Sequence, residues 1–136
     1  MAIIGKDYKD YAVAVLIETP QGIPLIMDPS KPLPHFWKLP GGRAEAGETP
    51  PETAARELQE ETTIVVPPKS LKLLHEEHRG SHTFFLFHAK TDKNIPLPAR
   101  SSEGELIQYC DNKKIRGLPD LFPNHKSLLE RYFFPH

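Results

Sequence analysis

Glu57, Glu60 and Glu61 are the residues of this chain whose spacing best suits a chemical role. Steps of three and four residues place them on one face of an α-helix, with Cβ atoms roughly 5–6 Å apart. Mg²⁺ takes one or two carboxylates together with water and phosphate oxygens, so the three glutamates could form a magnesium site that faces a phosphate group. A solvated acidic face is the alternative, because like-charge repulsion costs only roughly 0.2–0.5 kcal/mol per pair.

The helix that must carry these glutamates has a well-marked start. Thr49 is a good N-cap, and Glu52 three residues later completes a capping box. Pro50 falls at the first helical position, where a missing N–H costs nothing. We therefore predict a helix from Pro50 to about Thr62. One flank is apolar enough to pack on a sheet, and it consists of Ala54, Ala55, Leu58 and Thr62.

Residues 42–64 resemble the Nudix box, written G-x5-E-x7-R-E-U-x-E-E-x-G-U with U an apolar residue. Thr63 departs from the pattern, because the box has glycine at this place. Threonine disfavours the left-handed conformation that is common just past a helix end, so either the helix ends differently or Thr63 is strained. Because threonine replaces no metal ligand, we expect an effect on stability rather than on the chemistry. The matching residues are Gly42, Glu48, Arg56, Glu57, Leu58, Glu60, Glu61 and Ile64.

The resemblance implies an α/β protein with the Nudix fold, an α/β/α sandwich with a mixed, curved β-sheet. We expect residues 1–136 to form a single domain of this kind. The family hydrolyses nucleoside diphosphates linked to a further group, and all-oxygen ligands suit Mg²⁺ or Mn²⁺ as the cofactor. The metal ligands that the resemblance implies are Glu57, Glu60, Glu61 and a backbone carbonyl of Gly41 or Gly42.

The resemblance also distributes catalytic roles. Arg56 is expected to orient the box glutamates rather than to bind substrate, and Glu48 to pin the loop. In many members a glutamate outside the box completes the metal site or acts as the base, and the candidates here are Glu103 and Glu105. Glu105 could equally do no more than open a strand, so the choice between these two and a box glutamate stays open. The candidate catalytic residues are Arg56, Glu57, Glu60, Glu61 and Glu105.

The substrate is less clearly indicated than the chemistry. The small size and the Leu-Pro-Gly-Gly lead-in favour a mutator-type nucleoside triphosphate pyrophosphohydrolase. Family signatures for ADP-ribose and for dinucleoside polyphosphates are a proline or a tyrosine past the box, and those places hold Arg79 and Gly80. The alternatives are a nucleotide-sugar or dinucleoside polyphosphate hydrolase, and a sensor that binds nucleotides without cutting them. The three box glutamates favour an enzyme over the sensor.

Composition narrows the possible partners. The 17 basic and 18 acidic residues give a net charge of −1, but residues 43–61 hold six of the acids and only two of the bases. An acidic centre in a mildly basic surround suits a metal ion and a phosphate substrate, whereas a nucleic-acid polymer normally needs a clustered basic stripe. The single Cys110, the lack of a membrane-length apolar run and the charged N-terminus predict a cytoplasmic protein without a membrane partner. Oligomeric state is not predicted.

The remaining pattern predicts the scaffold. The strand predicted at residues 23–28 should return beside the strand at residues 11–19 after a turn at residues 20–22. The C-terminal helix after Pro123 is assigned no chemistry. Trp37 is expected to pack in the core rather than to stack on a base. His75, His78, His82 and His88 lack the helical spacing of a zinc site, so contact with phosphate, by one of them or by Arg79, competes with a solvated hairpin tip. Strands are predicted at residues 11–19, 23–28, 71–77, 83–89 and 106–110, and a helix at 125–133.

Overall fold

A computed structural model describes residues 10–133. Residues 1–9, on which the prediction of a cytoplasmic protein partly rests, and residues 134–136 lie outside the described part. Within it no helix has the length and apolar content needed to cross a membrane. The strands are β1 Tyr11–Glu18, β2 Ile23–Met27, β3 Gly41–Arg43, β4 Lys72–His78, β5 Thr83–Lys90 and β6 Leu106–Cys110. The helices are α1 Pro50–Thr62, α2 Asn112–Arg116 and α3 Pro123–Tyr132, with a 3₁₀ turn at Pro68–Ser70.

Four strands form a mixed sheet in the order β3-β1-β5-β4. β1 runs parallel to β5 and antiparallel to β3, while β4 is antiparallel to β5. The expectation that β2 returns beside β1 is wrong, because β2 pairs antiparallel with β6 in a separate two-stranded sheet. The turn itself does form, through the bridge between Thr19 and Gly22. Since β3 and β5 already occupy the two edges of β1, no edge is left for β2.

The alternation of side chains along β1 serves two cores. Val13, Val15 and Ile17 face one core, which includes Ala54 and Leu58 of α1. Ala14 and Leu16 face the other, which includes β2, β6 and α3 residues. Helices therefore cover both faces of the central sheet, which confirms the predicted α/β/α sandwich. The face toward α1 is the one that positions the acidic side chains.

Two short elements were not predicted. Gly41–Arg43, expected as a glycine loop, forms β3, and Asn112–Arg116 forms a helix whose N-cap Asp111 accepts a hydrogen bond from Lys114 N–H. Trp37 is half-buried against the second core, as predicted, and its backbone N–H donates to the backbone carbonyl of Asp120 at 2.8 Å. That bond fixes the segment leading into β3 against the start of the C-terminal region.

Thr63→Gly is expected to stabilise the protein by about 0.5–1 kcal/mol. Thr63 is exposed and adopts φ 66°, in the left-handed region. Of the two alternatives, a different helix end or a strained Thr63, the structure therefore shows the second. A left-handed residue with a Cβ costs roughly 1–2 kcal/mol, part of which the greater freedom of glycine in the unfolded chain offsets. Urea denaturation measures the gain, with Thr63→Ala, which keeps the Cβ, as the control. A glycine variant no more stable than the alanine variant would show that Thr63 is not strained.

Candidate active site

The sequence around α1 folds as its capping residues dictate. Thr49 N–H donates to the Glu52 carboxylate at 2.9 Å, and Glu52 N–H donates back to the Thr49 hydroxyl at 3.4 Å, which completes the capping box. Ala54 and Leu58 are fully buried under the sheet. With that flank held against the sheet, the helix brings Glu61 against β3, where Gly41 N–H donates to Glu61 Oε1 at 2.8 Å.

At each of the two glycines of β3 another part of the chain lies too close for a side chain, but the neighbouring group differs. A Cβ on Gly42 would lie 1.7 Å from Glu57 Oε2, so the carboxylate occupies the space that any side chain there would need. A Cβ on Gly41 would lie 2.0 Å from the carbonyl oxygen of Val13, which is backbone of β1. Gly42 therefore makes room for an acidic side chain, while Gly41 allows β3 to pair with β1.

Arg56 makes hydrogen bonds to two glutamates of the box, Glu48 and Glu60. Its Nε and Nη2 donate to the Glu48 carboxylate at 2.6 and 3.1 Å, and Nη1 donates to Glu60 Oε1 at 3.1 Å. Nη1 also lies 3.6 Å from Glu57 Oε1. Glu48 further accepts from Glu45 N–H at 3.0 Å and from the Thr53 hydroxyl at 2.7 Å. These bonds fasten the loop before α1 to the helix.

The carboxylates of this region divide into two electrostatic classes. The Arg56 hydrogen bonds hold the pKa of Glu48 down at about 2. Burial raises the pKa of Glu61 to about 8, against the lowering effect of the Gly41 hydrogen bond, and the Glu105 and Glu57 charges raise it further. Burial likewise raises the pKa of Glu57 to about 7. The structure therefore disfavours the ionised forms of half-buried Glu57 and buried Glu61, and a bound cation would favour those forms.

Glu105 lies just before β6, and it is buried rather than solvated. It is 7% exposed, its N–H donates to Ser101 Oγ at 3.1 Å, and burial raises its pKa. The charge of Glu105 acts on Glu61, whereas that of exposed Glu103 acts on Glu57 and Glu105. Both candidates from outside the box therefore lie near the box acids, and only Glu105 is enclosed with them.

The donors present fit a hard divalent cation. They are carboxylate oxygens from α1 and from the residue before β6, with backbone carbonyls of β3 beside them, and such all-oxygen sets suit Mg²⁺ or Mn²⁺. The buried charge of Glu61 has no ion-pair partner within 4.0 Å in residues 10–133. In that same range no three acid, histidine or cysteine side chains already form a closed ligand cluster. Glu60 is engaged by Arg56 and Glu61 by Gly41, so both would have to share or exchange these partners with the ion.

The histidines of the β4–β5 region are dispersed among separate partners. His75 contacts Tyr132 OH at 2.9 Å, His88 contacts Glu18, and His78 contacts Thr83 Oγ1 at 3.1 Å. His82 lies against the neighbouring Ser81 hydroxyl at 3.0 Å. Each of the four is therefore accounted for by a contact of its own.

A cleft of about 320 Å³ opens on the other side of the glycine pair. Its volume is in the range of small-molecule sites. Gly41 and Gly42 line one wall, so the acids behind these glycines lie next to it. Arg79 lines the cleft too, with its guanidinium 4.1 Å above the Phe84 ring and its Nε bonded to Glu77 at 2.8 Å. Arg79, one of the residues suggested for phosphate contact, therefore lies at the cleft, and its contact with phosphate stays a prediction.

Lys38 and His125 are among the cleft residues that sequence analysis missed. The backbone of Lys38 pairs with Ile26 at 2.9 Å in both directions, and its charge lowers the pKa values of Glu61 and Glu105. His125 lies on α3, which was assigned no chemistry, and its Nδ1 accepts from Leu39 N–H at 3.0 Å. The position of His125 on the apolar stripe of α3, three residues before Leu128, was the one available signal.

Comparisons with known proteins agree with this geometry. The sequence model of the NUDIX domain matches residues 8–132. An ADP-ribose pyrophosphatase from Methanocaldococcus jannaschii is 42% identical over 136 residues, covering 93% of this chain and 78% of that protein. Human 8-oxo-dGDP phosphatase NUDT18 is 31% identical over 96 residues, covering 71% of this chain. A NUDIX family hydrolase from Clostridium perfringens has a similar fold, with a TM-score of 0.70 and 16% identity over 90% of this chain and 94% of that one.

Several relatives are much longer than this chain. The matched part of the chain spans 29% of human NUDT18, and 19% and 22% of two other curated relatives. Their whole-protein activities therefore do not transfer directly.

Proposed function

Because this chain belongs to the Nudix hydrolase family, we propose that it uses Mg²⁺ to hydrolyse a diphosphate bond in a nucleoside di- or triphosphate derivative. The observation that carries the proposal is the position of half-buried Glu57 and buried Glu61, two acids packed against the glycine pair that lines the cleft. A substrate in the cleft would bring its phosphates to that wall. Buried acids at a cleft with raised pKa values are typical of functional sites.

Glu57, Glu60, Glu61 and the backbone carbonyl of Gly42 would hold the metal. When bound, Mg²⁺ lowers the pKa of water and neutralises charge on the phosphate oxygens; Mn²⁺ suits the same donors. Divalent metals are general in the family, and the choice of Mg²⁺ is our proposal. The number of ions is left open.

The residues of the chain then divide the remaining tasks. Arg56 positions Glu48 and Glu60 through its hydrogen bonds and does not reach into the cleft that the substrate occupies. Glu105 would take a proton from the attacking water at its carboxylate oxygens. Its burial and the effect of its charge on Glu61 support this role. Lys38 and Arg79 line the cleft and supply positive charge toward an anionic substrate.

We further propose a nucleoside triphosphate as the substrate and a pyrophosphohydrolase reaction. The identified relatives act, by their names, on ADP-ribose and on 8-oxo-dGDP, so a nucleoside diphosphate group is common to them. The absence of the ADP-ribose and dinucleoside polyphosphate signatures at Arg79 and Gly80 favours the triphosphate. A cytoplasmic location and the lack of a nucleic-acid partner remain predictions from composition.

A panel of nucleotides tests the proposal. Purified protein with Mg²⁺ is incubated with nucleoside triphosphates, ADP-ribose, nucleotide sugars and dinucleoside polyphosphates, and the release of monophosphate, phosphate and pyrophosphate is measured. We expect Mg²⁺-dependent release of nucleoside monophosphate and pyrophosphate from at least one triphosphate. Saturable binding by calorimetry without turnover under Mg²⁺ or Mn²⁺ would instead establish the nucleotide sensor.

The metal-free protein is expected to lose stability as the pH rises from 6.5 to 9. Burial raises the pKa values of Glu57 and Glu61 to about 7 and about 8 in the folded chain, above the ordinary range of glutamate. Such carboxyls stabilise the folded chain while they are protonated. Their contribution to the free energy of unfolding is complete below the pKa that they have in the unfolded chain, and it is lost as the pH rises through the pKa that they have in the folded chain. We expect a loss of about 1 kcal/mol or more, equal to a fall in Tm of roughly 3–6 °C.

Saturating Mg²⁺ should reverse this loss, because the ion binds ionised carboxylates of the folded chain. Glu61→Gln should flatten the slope. The range begins at pH 6.5 because His125, whose pKa burial lowers to about 3, gives the opposite slope at lower pH. A metal-free Tm that stays constant or rises between pH 6.5 and 9 would contradict the assignment of buried charge.

A further inference from the structure

His125 has one ring nitrogen fixed by the fold and the other directed to the cleft. Leu39 N–H donates to Nδ1 at 3.0 Å, so Nδ1 presents a lone pair and the neutral ring keeps its proton on Nε2. Within residues 10–133 the structure gives Nε2 no hydrogen-bond partner. In the same range every side-chain N or O atom that is shielded from solvent has a partner. Nε2 must therefore be accessible, and the space that the ring lines is the cleft.

The ring cannot easily change this state. Burial, with the charges of Lys38 and Arg79, lowers the pKa of His125 to about 3, so the ring is neutral at physiological pH. Phe122 packs edge-on against it at 5.1 Å between ring centres, and Phe84 lies at 6.4 Å. These neighbours fix the orientation of the imidazole. His125 thus offers the cleft one constant group, an uncharged N–H donor.

The charged groups nearest to His125 are donors as well. Lys38 and Arg79 line the same cleft and have no acceptor atoms. Asp28 is the acid of the cleft lining, and its Oδ1 already accepts from the N–H and hydroxyl of Ser30 at 2.9 and 2.6 Å. A ligand amino group placed at His125 would meet donors, whereas a carbonyl oxygen would meet a complementary surface.

We propose that this cleft selects nucleobases that present a carbonyl oxygen to His125 Nε2–H, as hypoxanthine, guanine and uracil do, over those that present an amino group there, as adenine and cytosine do. The inference deepens the proposed function and rests on it, since it takes the ligand of the cleft to be a nucleotide. His125 is then a specificity-determining residue and takes no part in the chemistry at phosphorus. The flat apolar rings of Phe36 and Phe122, both in the cleft lining, suit a planar base.

Matched nucleotide pairs test the preference. ITP and ATP differ chiefly in a carbonyl against an amino group on the purine ring, and UTP and CTP differ in the same way on the pyrimidine. With Mg²⁺, kcat/KM is expected to be roughly 10-fold or more higher for ITP than for ATP, because the amino group leaves the donor of His125 unpaired. UTP should exceed CTP in the same direction. Equal values within both pairs would overturn the proposal.

His125→Asn separates recognition from structure. The shorter amide can still accept from Leu39 N–H, but it has no group at the place of Nε2. The ITP to ATP ratio is expected to fall to about 1–2, chiefly through loss of ITP activity. A merely structural role would lower both activities and leave the ratio unchanged, and that result would overturn the inference.

Two measurements are independent of turnover and of the variant's folding. Calorimetry of IMP and AMP with the wild-type protein gives the base preference even if no nucleotide is hydrolysed, in which case only the proposed function fails. Nitrogen-15 spectra of the wild-type imidazoles should show the His125 proton on Nε2, with its resonance moved by IMP and not by AMP. Equal affinities for the two monophosphates, or an Nε2 resonance that IMP leaves in place, would overturn the preference.

Discussion

Glu61→Gln is expected to lower kcat by about 10²–10³-fold while the fold stays intact, a loss typical of removing one preorganised electrostatic group from an active site. Glu61 is 8% exposed and accepts from Gly41 N–H, and a glutamine oxygen can accept the same bond. The substitution therefore removes negative charge without opening a cavity. Because that charge is buried, the metal-free variant should be at least as stable as the wild type above pH 8.

The measurement pairs steady-state kinetics with Mg²⁺ titration by calorimetry, in which the variant should bind the ion more weakly. Glu130→Gln is the matched control, since it removes the same charge from an exposed position of α3 that does not line the cleft. Control activity should equal that of the wild type. Full activity of Glu61→Gln would refute the assignment of this acid to the metal site.

Gly42→Ala is expected to lower kcat/KM by roughly 10²-fold with little loss of stability. The new Cβ would lie 1.7 Å from Glu57 Oε2, so the flexible end of Glu57 must swing away. Moving a side chain end is cheap for the fold, but displacing a catalytic group by about 1 Å can cost roughly 10²-fold in rate. Activity should therefore fall where Tm hardly changes.

Gly41→Ala provides the contrast. Its Cβ would meet Val13 O at 2.0 Å and Ala14 Cα at 2.9 Å, both of them backbone atoms of β1. The pairing of β3 with β1 would have to open, which we expect to cost about 1–3 kcal/mol of stability. Urea denaturation and kinetics on both variants decide the matter. If Gly42→Ala proved as destabilising as Gly41→Ala, the separation of their roles would be wrong.

Local signals were sufficient where local chemistry determines the structure. The start of α1 follows from Thr49, Pro50 and Glu52, because the capping box is formed by residues three apart. The strand at Leu106–Cys110 has the predicted bounds, and β1, β2 and β5 each differ from their predictions by one residue at the C-terminal end. Both ends of β4 lie one residue later than predicted. The spacing of the box glutamates likewise brought Glu57 and Glu61 to one side of α1, where both meet β3.

The features that the sequence did not reveal depend on contacts between segments that are far apart in the chain. β2 is an apolar strand that follows a turn, which indicates a hairpin, but β3 and β5 occupy both edges of β1. The glycines of β3 have low strand propensity, and only their close approach to β1 and α1 makes them a strand. His125 bonds to a residue 86 positions away, so no local pattern could place it in the cleft.

The bonds from Arg56 and Glu48 have a consequence for how ligands arrive. Hydrogen bonds to both oxygens of the Glu48 carboxylate hold the loop before α1 to the helix, and these bonds need no bound ligand. Folding has therefore already met the entropic cost of immobilising this segment. An arriving cation or nucleotide encounters a preassembled receptor, and its association can be governed by diffusion and dehydration instead of slow loop closure.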